Sequence, residues 1–440
     1  MVEGHVAGVT FLAGLPQPIG PAAYPMDETA ELRRRLQRLG RRRPTAGVLD
    51  RPRWVESFSG DEITTTRGTA FRKESIYSLH HTHGRGPLAS LLGFDPRLAA
   101  EVARQPGLAG APLEHLAFLD TETTGLAGGA GTLVFLVGIG RFTDEGFRLR
   151  QYFLRDPAEE PSMLLALQED LEAASGFVTF NGRVFDLPLL EMRYGIGLRR
   201  RWSLSALPHL DLLFPSRRLW RRSLPDCSLS TLEAQLLGVR RTDADVPGAL
   251  IPGMYLDYLR SGDPTSMARV VYHNAVDVLT LVGLTSTVLD RHQGAGDSLT
   301  GMETLAVARW HAALGRLDRA EALLRRAIES GDEGVRAEAL RAFTGLLRSQ
   351  RRRGQALEAL TSLSQLAPWD PQPSLEVAKY YEWEARDLRE AMRWADRARQ
   401  SVEGWPEGWR RQDALADIDH RIARLVKKQA RDTSLPASPR

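Results

Sequence analysis

Phe118-Leu-Asp-Thr-Glu-Thr-Thr-Gly125 closes the apolar run Leu116-Ala-Phe-Leu119 with two carboxylates one residue apart. The run has the composition of a buried strand, and in a strand positions i and i+2 project from the same face. Asp120 and Glu122 therefore stand on one side at one depth. Two bare carboxylates held that close repel, and one is driven toward protonation unless a cation lies between them. Mg²⁺ and Mn²⁺ are held in this way, by a few carboxylates that leave positions open for water and phosphate oxygens. Standing alone, Asp-x-Glu reads more simply as a strand end with chance acids, so the decision rests on what else the chain supplies.

Phe177-Val-Thr-Phe180 is a second short apolar run. It breaks at Asn181-Gly182 and resumes as a helix-like stretch over 185–194, with Pro188 in its first turn, where a missing N–H costs little. Asp186 sits just past a strand end at a helix start, as a ligand or as an N-cap. Residues 267–281 read as a long amphipathic helix in which His273 and Asp277 share a face. Tyr272 lies roughly 140° around that helix from Asp277.

The order Asp-x-Glu, then Asn-Gly-x-x-Phe-Asp, then His-x-x-x-Asp resembles the DEDD exonucleases of the ribonuclease-H-like superfamily. More closely, it is similar to the bacterial YprB-like group, related to the exonuclease domain of family-B DNA polymerases. The resemblance spans about 64–290 and includes the segments 128–138, 210–213, 217–220, 227–233 and 246–252. It implies a mixed α/β sheet flanked by helices, and a nuclease that cleaves phosphodiester bonds of DNA or RNA in the 3′-5′ direction with two Mg²⁺ or Mn²⁺ ions. Asp120, Glu122, Asp186 and Asp277 match the four metal-binding acids, Asp120 as the ligand bridging both ions. The family's tyrosine subtype has Tyr four residues before the last Asp, and its histidine subtype has His five before. Here His273 is four before and Tyr272 five before. The identity of the general base stays open between them, with the i,i+4 geometry favouring His273.

Net charge is only +3, but arginine is concentrated locally. Arg193, Arg199, Arg200, Arg201, Arg217, Arg218, Arg221 and Arg222 stand against Glu191 and Asp211, with Trp202 and Trp220 interleaved. Guanidinium forks pair with phosphate oxygens and indoles stack on unpaired bases. Asn181, Phe185, Arg217, Arg218 and Trp220 are therefore expected to contact nucleic acid. Asp211 ends a strand and reads either as a supporting acid or as a structural one. His80, His81 and His83 have no Cys or Asp beside them and read as a loop beside a strand. The glycines of 125–131 lack the Gly-Lys-Ser/Thr ending of a P-loop and suit a tight passage between strands.

The single cysteine, Cys227, excludes an intramolecular disulfide and a zinc finger. No run approaches the roughly 18 apolar residues of a spanning helix, and no signal peptide is read at the N-terminus, so a cytoplasmic protein without a membrane partner is expected. The organisation expected is a loosely ordered segment over 1–50 with a possible helix after Asp27, then a β-containing extension over 51–110 that docks on the nuclease domain. The ribonuclease-H-like domain follows over 111–292. Over 300–405 the composition turns to Ala, Arg, Leu and Glu, with Ala320, Ala356 and Ala391 recurring 36 and 35 residues apart. That spacing is near the tetratricopeptide period and predicts helical repeats that take a partner or substrate. A disordered tail is expected over 426–440. The alternative function is a weakly active nuclease fold that serves as a scaffold through the repeats.

Overall fold

The computed structural model describes residues 60–434 apart from 126–128, 130, 243 and 295–298. The expected segment over 1–50, residues 51–59 of the expected β-containing extension and much of the glycine-rich link after Gly125 lie outside the described residues. Strands β1 (Asp61–Thr65) and β2 (Gly68–Tyr77) form a hairpin, and β3 (Thr82–His83) with β4 (Gly86–Pro87) forms a short separate one. The main sheet is completed by β5 (Leu116–Thr123), β6 (Val134–Thr143), β7 (Gly146–Phe153), β8 (Gly176–Thr179) and β9 (His209–Asp211). Its seven strands run in the order β1-β2-β7-β6-β5-β8-β9.

Pairing is antiparallel from β1 to β5 and parallel across β5, β8 and β9. Parallel strands bring their carboxyl ends to the same edge, and ligands in open α/β sheets collect there. Glu122 near the end of β5, Asn181 after β8 and Asp211 at the end of β9 therefore share one end of the sheet. In the N-terminal extension, β2 pairs with the open edge of β7 from Phe71↔Phe153 to Tyr77↔Phe147. It satisfies a row of backbone groups that the edge would otherwise expose.

Helices α1 (Pro96–Ala103), α2 (Glu160–Glu172), α3 (Asp186–Gly197), α4 (Leu213–Trp220), α5 (Leu229–Leu232), α6 (Ile251–Ser261) and α7 (Met267–Gln293) cover both faces. Phe118 shares one buried cluster with Val278 and Val282 of α7, whereas Ala117 and Leu119 belong to the other, with Leu164 of α2 and Leu190 of α3. By strand period, Asp120 and Glu122 emerge on the α7 side with Phe118. The helix comes close because β6 carries glycine beneath it. A methyl group at Gly138 would lie 2.3 Å from Asn274 Oδ1, and one at Gly140 would lie 2.9 Å from Val278 Cγ1. Gly138→Ala is expected to cost about 1–3 kcal/mol, the range for overpacking a filled interior, read as a lowered Tm. An unchanged Tm would show that α7 is not seated on this glycine.

The C-terminal region is helical throughout. Helices α8 (Gly301–Ala313), α9 (Leu317–Ile328), α10 (Glu333–Ser349), α11 (Arg353–Leu366), α12 (Pro371–Tyr380) and α13 (Leu388–Glu403) follow as successive pairs, ahead of α14 (Trp409–Ser434). Ala320, Ala356 and Ala391 take the same buried place in the second helix of each pair, at 0%, 4% and 0% exposure. Five residues before each alanine the turn enters the left-handed region, at Gly315, Arg351 and Arg386. Trp310, Ala320 and Ala356 belong to the same buried cluster as Phe118 and Val282, so the first pairs are built onto the core of the sheet. The tail expected from 426 is corrected: α14 continues to Ser434. Lys428 and Arg424 anchor it on the buried Glu382, at 2.7 and 2.8 Å.

Candidate active site

β5 delivers Asp120 and Glu122 under α7. Asn274, fully buried on α7, donates from Nδ2 to Asp120 Oδ2 (2.8 Å) and to the Asp120 carbonyl (3.2 Å). Its Oδ1 accepts from Gln151 Nε2 at 2.8 Å, so the amide that orients Asp120 is itself oriented from β7. Three residues on, α7 presents Asp277, and one turn before that His273. His273 Nε2 lies 3.3 Å from Asp277 Oδ2 and 3.9 Å from Glu122 Oε1. One ligand atom from each of Glu122, His273 and Asp277 lies within 4.8 Å of the other two. Asp186 opens α3 and accepts a 2.5 Å hydrogen bond from Thr121 Oγ1, the residue between the two β5 acids.

The charges report the same convergence. Burial, then the carboxylates of Asp277, Glu122 and Asp186, hold the Asp120 carboxyl well above its usual range. Burial followed by Asp277 and Asp186 does the same to Glu122. Asp186 is pushed up to about 6, burial outweighing the Thr121 hydrogen bond. Asp277 is raised by burial against the opposing pull of Arg241 and His273. Mutually repelling carboxyls gathered in one pocket are the donor set a hard divalent cation requires, and the residues present fit such ions.

Several residues of this site carry no sequence signature. Arg241 grips Glu233 with both ends of its fork, at 2.9 and 2.7 Å, and also donates to Asp277. Glu233, 2% exposed, stands in a π-helical turn over Glu233–Leu237, a distortion that often marks functional sites. It also accepts from Thr280 Oγ1, which contacts His83 Nε2 at 2.9 Å. His83, expected in a loop, is thus a buried part of this network, and burial pushes its imidazole down to about 4. Asp245 Oδ1 lies 2.7 Å from His273 Nδ1. Arg241 Nη1 approaches the same Nδ1 at 3.0 Å, so Nε2 is the nitrogen left facing Glu122 and Asp277.

The RNase H superfamily is matched over residues 117–289. The chain is also 30% identical over 368 residues to the uncharacterized protein YprB of Bacillus subtilis strain 168, covering 81% of this chain and 85% of that one. The chain belongs to the YprB family. In this YprB-family chain the Asn181-Gly182 turn sits at the sheet end that holds the acids. Asn181 adopts φ 65°, and its N–H and that of Arg183 donate to Asp211 at 2.7 and 3.2 Å. Asp211 is thereby a structural acid that fixes the turn leading into Asp186. Phe185, next to Asp186, is 45% exposed and stays available to a ligand.

The arginine-rich segment divides. Arg193 is buried against Glu160, and Arg200 stacks over Trp202, which packs edge-on against Tyr194. Trp220 is not a base-stacking residue. It is 1% exposed, and its Nε1 donates to Glu303 Oε1 at 2.9 Å, because the inner face of α4 packs into the core. Arg217 and Arg218, on the outer face, are exposed. Among the described residues no helix is long and apolar enough to cross a membrane.

Proposed function

We propose that this protein is a divalent-metal-dependent nuclease that removes nucleotides from the 3′ end of a DNA or RNA strand. Membership of the RNase H superfamily supports nucleic-acid hydrolysis as the class of reaction. The observation that carries the finer reading is the meeting of Asp120, Glu122, Asp186 and Asp277 with His273 at one end of the parallel strands. The four acids would hold two Mg²⁺ or Mn²⁺ ions, which supply water activation and stabilisation of the leaving oxygen when bound.

The chain's own residues do the rest. Asn274 fixes the rotamer of Asp120, and Thr121 fixes that of Asp186. His273 Nε2 accepts the proton of the attacking water, and Asp245 stabilises the imidazolium that forms. Phe185 offers a face on which the terminal base stacks. The helix pairs over 301–403 are read as tetratricopeptide-like repeats, and the cytoplasm as the site of action. The exchanged His/Tyr spacing is the feature of the chain that favours the scaffold alternative. The nearness of His273 to Glu122 and Asp277 supports a working site instead.

The test is end-labelled single-stranded DNA and RNA incubated with the full chain in Mg²⁺ or Mn²⁺, with EDTA as control. A ladder shortening from the 3′ end is expected, and strands that stay intact in both metals would overturn the reading. For the base, His273→Ala is expected to slow cleavage about 10²–10⁴-fold. Tyr272→Phe should leave the rate near wild type, because the Tyr272 hydroxyl is turned to the Thr242 N–H (3.4 Å). A rate lost with Tyr272→Phe and kept with His273→Ala would reverse the assignment.

A further inference from the structure

A cleft of about 410 Å³ separates the outer face of α4 and the turn after it from α8. Arg217, Arg218, Arg221 and Arg222 line one side and Arg309 the other, over an apolar floor that includes Leu305 and Trp310. Among the described residues one carboxylate answers these charges: Glu338 of α10 pairs with Arg222 at 2.5 Å and with Arg309 at 3.0 Å. Asp226, which follows the turn, is bonded instead to Ser228, through its N–H at 2.8 Å and its hydroxyl at 2.6 Å. Arg217, Arg218 and Arg221 have no ion pair among the described residues. Arg218 lies over the Trp310 ring at 5.0 Å. Burial, then the nearby charge of Arg104, holds its guanidinium below its usual value. Like charges gathered this densely around a single acid favour an external polyanion.

We propose that this cleft binds the sugar-phosphate backbone of a nucleic acid strand, so that α8, the first repeat helix, is part of the substrate path. The proposal rests on the nuclease reading for the identity of the polyanion. Planar guanidinium forks match phosphate oxygens two at a time, and the apolar floor takes sugar or base, which an inorganic anion does not use. Position agrees. α4 starts two residues after Asp211, whose carboxylate fixes the turn into Asp186. Its eight residues span about 12 Å, so the arginines lie a short way from the turn that carries a catalytic acid. The sequence marked Arg217 and Arg218; that Arg309 closes the site from the helical region follows only from the fold.

The experiment is fluorescence anisotropy of a labelled single strand titrated with the full chain in EDTA, over a series of salt concentrations. Arg217→Gln with Arg221→Gln is expected to weaken binding about tenfold and to flatten the log-log salt slope by about 1.4, at ~0.7 for each phosphate no longer neutralised. Arg217→Lys with Arg221→Lys keeps the charges and should keep most of the slope. An unchanged slope in the glutamine pair, or a slope lost equally with lysine, would overturn the proposal. So would competition by polyglutamate as strong as that by DNA, which would mark an acidic-protein site. Because EDTA removes the cleavage chemistry, the two readings fail separately. Binding with this signature by a chain that never cuts leaves the cleft standing, and cutting with an unaltered slope removes the cleft alone.

Discussion

Asp120→Asn is expected to lose cleavage by at least about 10³-fold, roughly 4 kcal/mol of transition-state stabilisation, and yet to be more stable than wild type without metal. The two effects have one cause. Asn keeps an oxygen for Asn274 Nδ2, so the fold loses no hydrogen bond. What disappears is a charge that burial and three neighbouring acids oppose. The folded carboxyl titrates well above its unfolded value near 3.9. Between those two values the native state holds a proton that the unfolded chain has released, so rising pH erodes stability across that window. Above the folded value the penalty persists in full. The Tm advantage of Asp120→Asn in EDTA should therefore be small near pH 4, grow as pH rises and then level off. Scanning calorimetry from pH 4 to 8 checks it; a variant less stable than wild type at every pH would mean that the acids are not in conflict.

Arg241→Met is expected to destabilise the metal-free chain by about 3–5 kcal/mol, the usual cost of stranding a buried partner. Glu233 and Asp277 would both lose their counter-charge in a site where Glu233 has almost no access to water. Adding Glu233→Gln to Arg241→Met should recover part of the loss, since one stranded charge is then gone. Saturating Mn²⁺ should stabilise Arg241→Met more than it stabilises wild type, because a cation at Asp277 replaces the missing guanidinium. Denaturant unfolding of wild type and the two variants, with and without Mn²⁺, reads these differences. A loss within about 0.5 kcal/mol, the scatter of ordinary surface substitutions, would show that Arg241 is not the internal cation of this site.

The parts of the site that could be read from sequence follow a period. Asp120 and Glu122 obey the two-residue repeat of a strand, and His273 and Asp277 the turn of a helix, so their shared faces were legible before any fold. Asp186 was marked by the Asn-Gly break before it. Arg241 follows no such rule: it lies in an irregular connection, 8 residues from Glu233 and 36 from Asp277, where only the folded chain shows what is near. Asn274 carried no such mark on its helix, although Gly138 in the middle of an apolar strand was the available hint that something packs closely there. Trp220 was misleading because arginines surround it. Leu213, Ser216 and Trp220 recur at helical spacing, and all three are buried, so that spacing was the better guide. The last helix was hidden by its polar composition. What holds α14 in register is a contact between distant parts of the chain, Glu382 with Arg421, Arg424 and Lys428.

Calorimetric titration of the metal-free full chain with Mn²⁺ bears most directly on the claim that four separated acids form one cation site. Two ions per wild-type chain are expected, with binding lost or sharply weakened in Asp120→Asn and in Asp277→Asn alike, since both carboxylates serve the same ions. Heat that is absent in wild type, or undiminished in either variant, would contradict it.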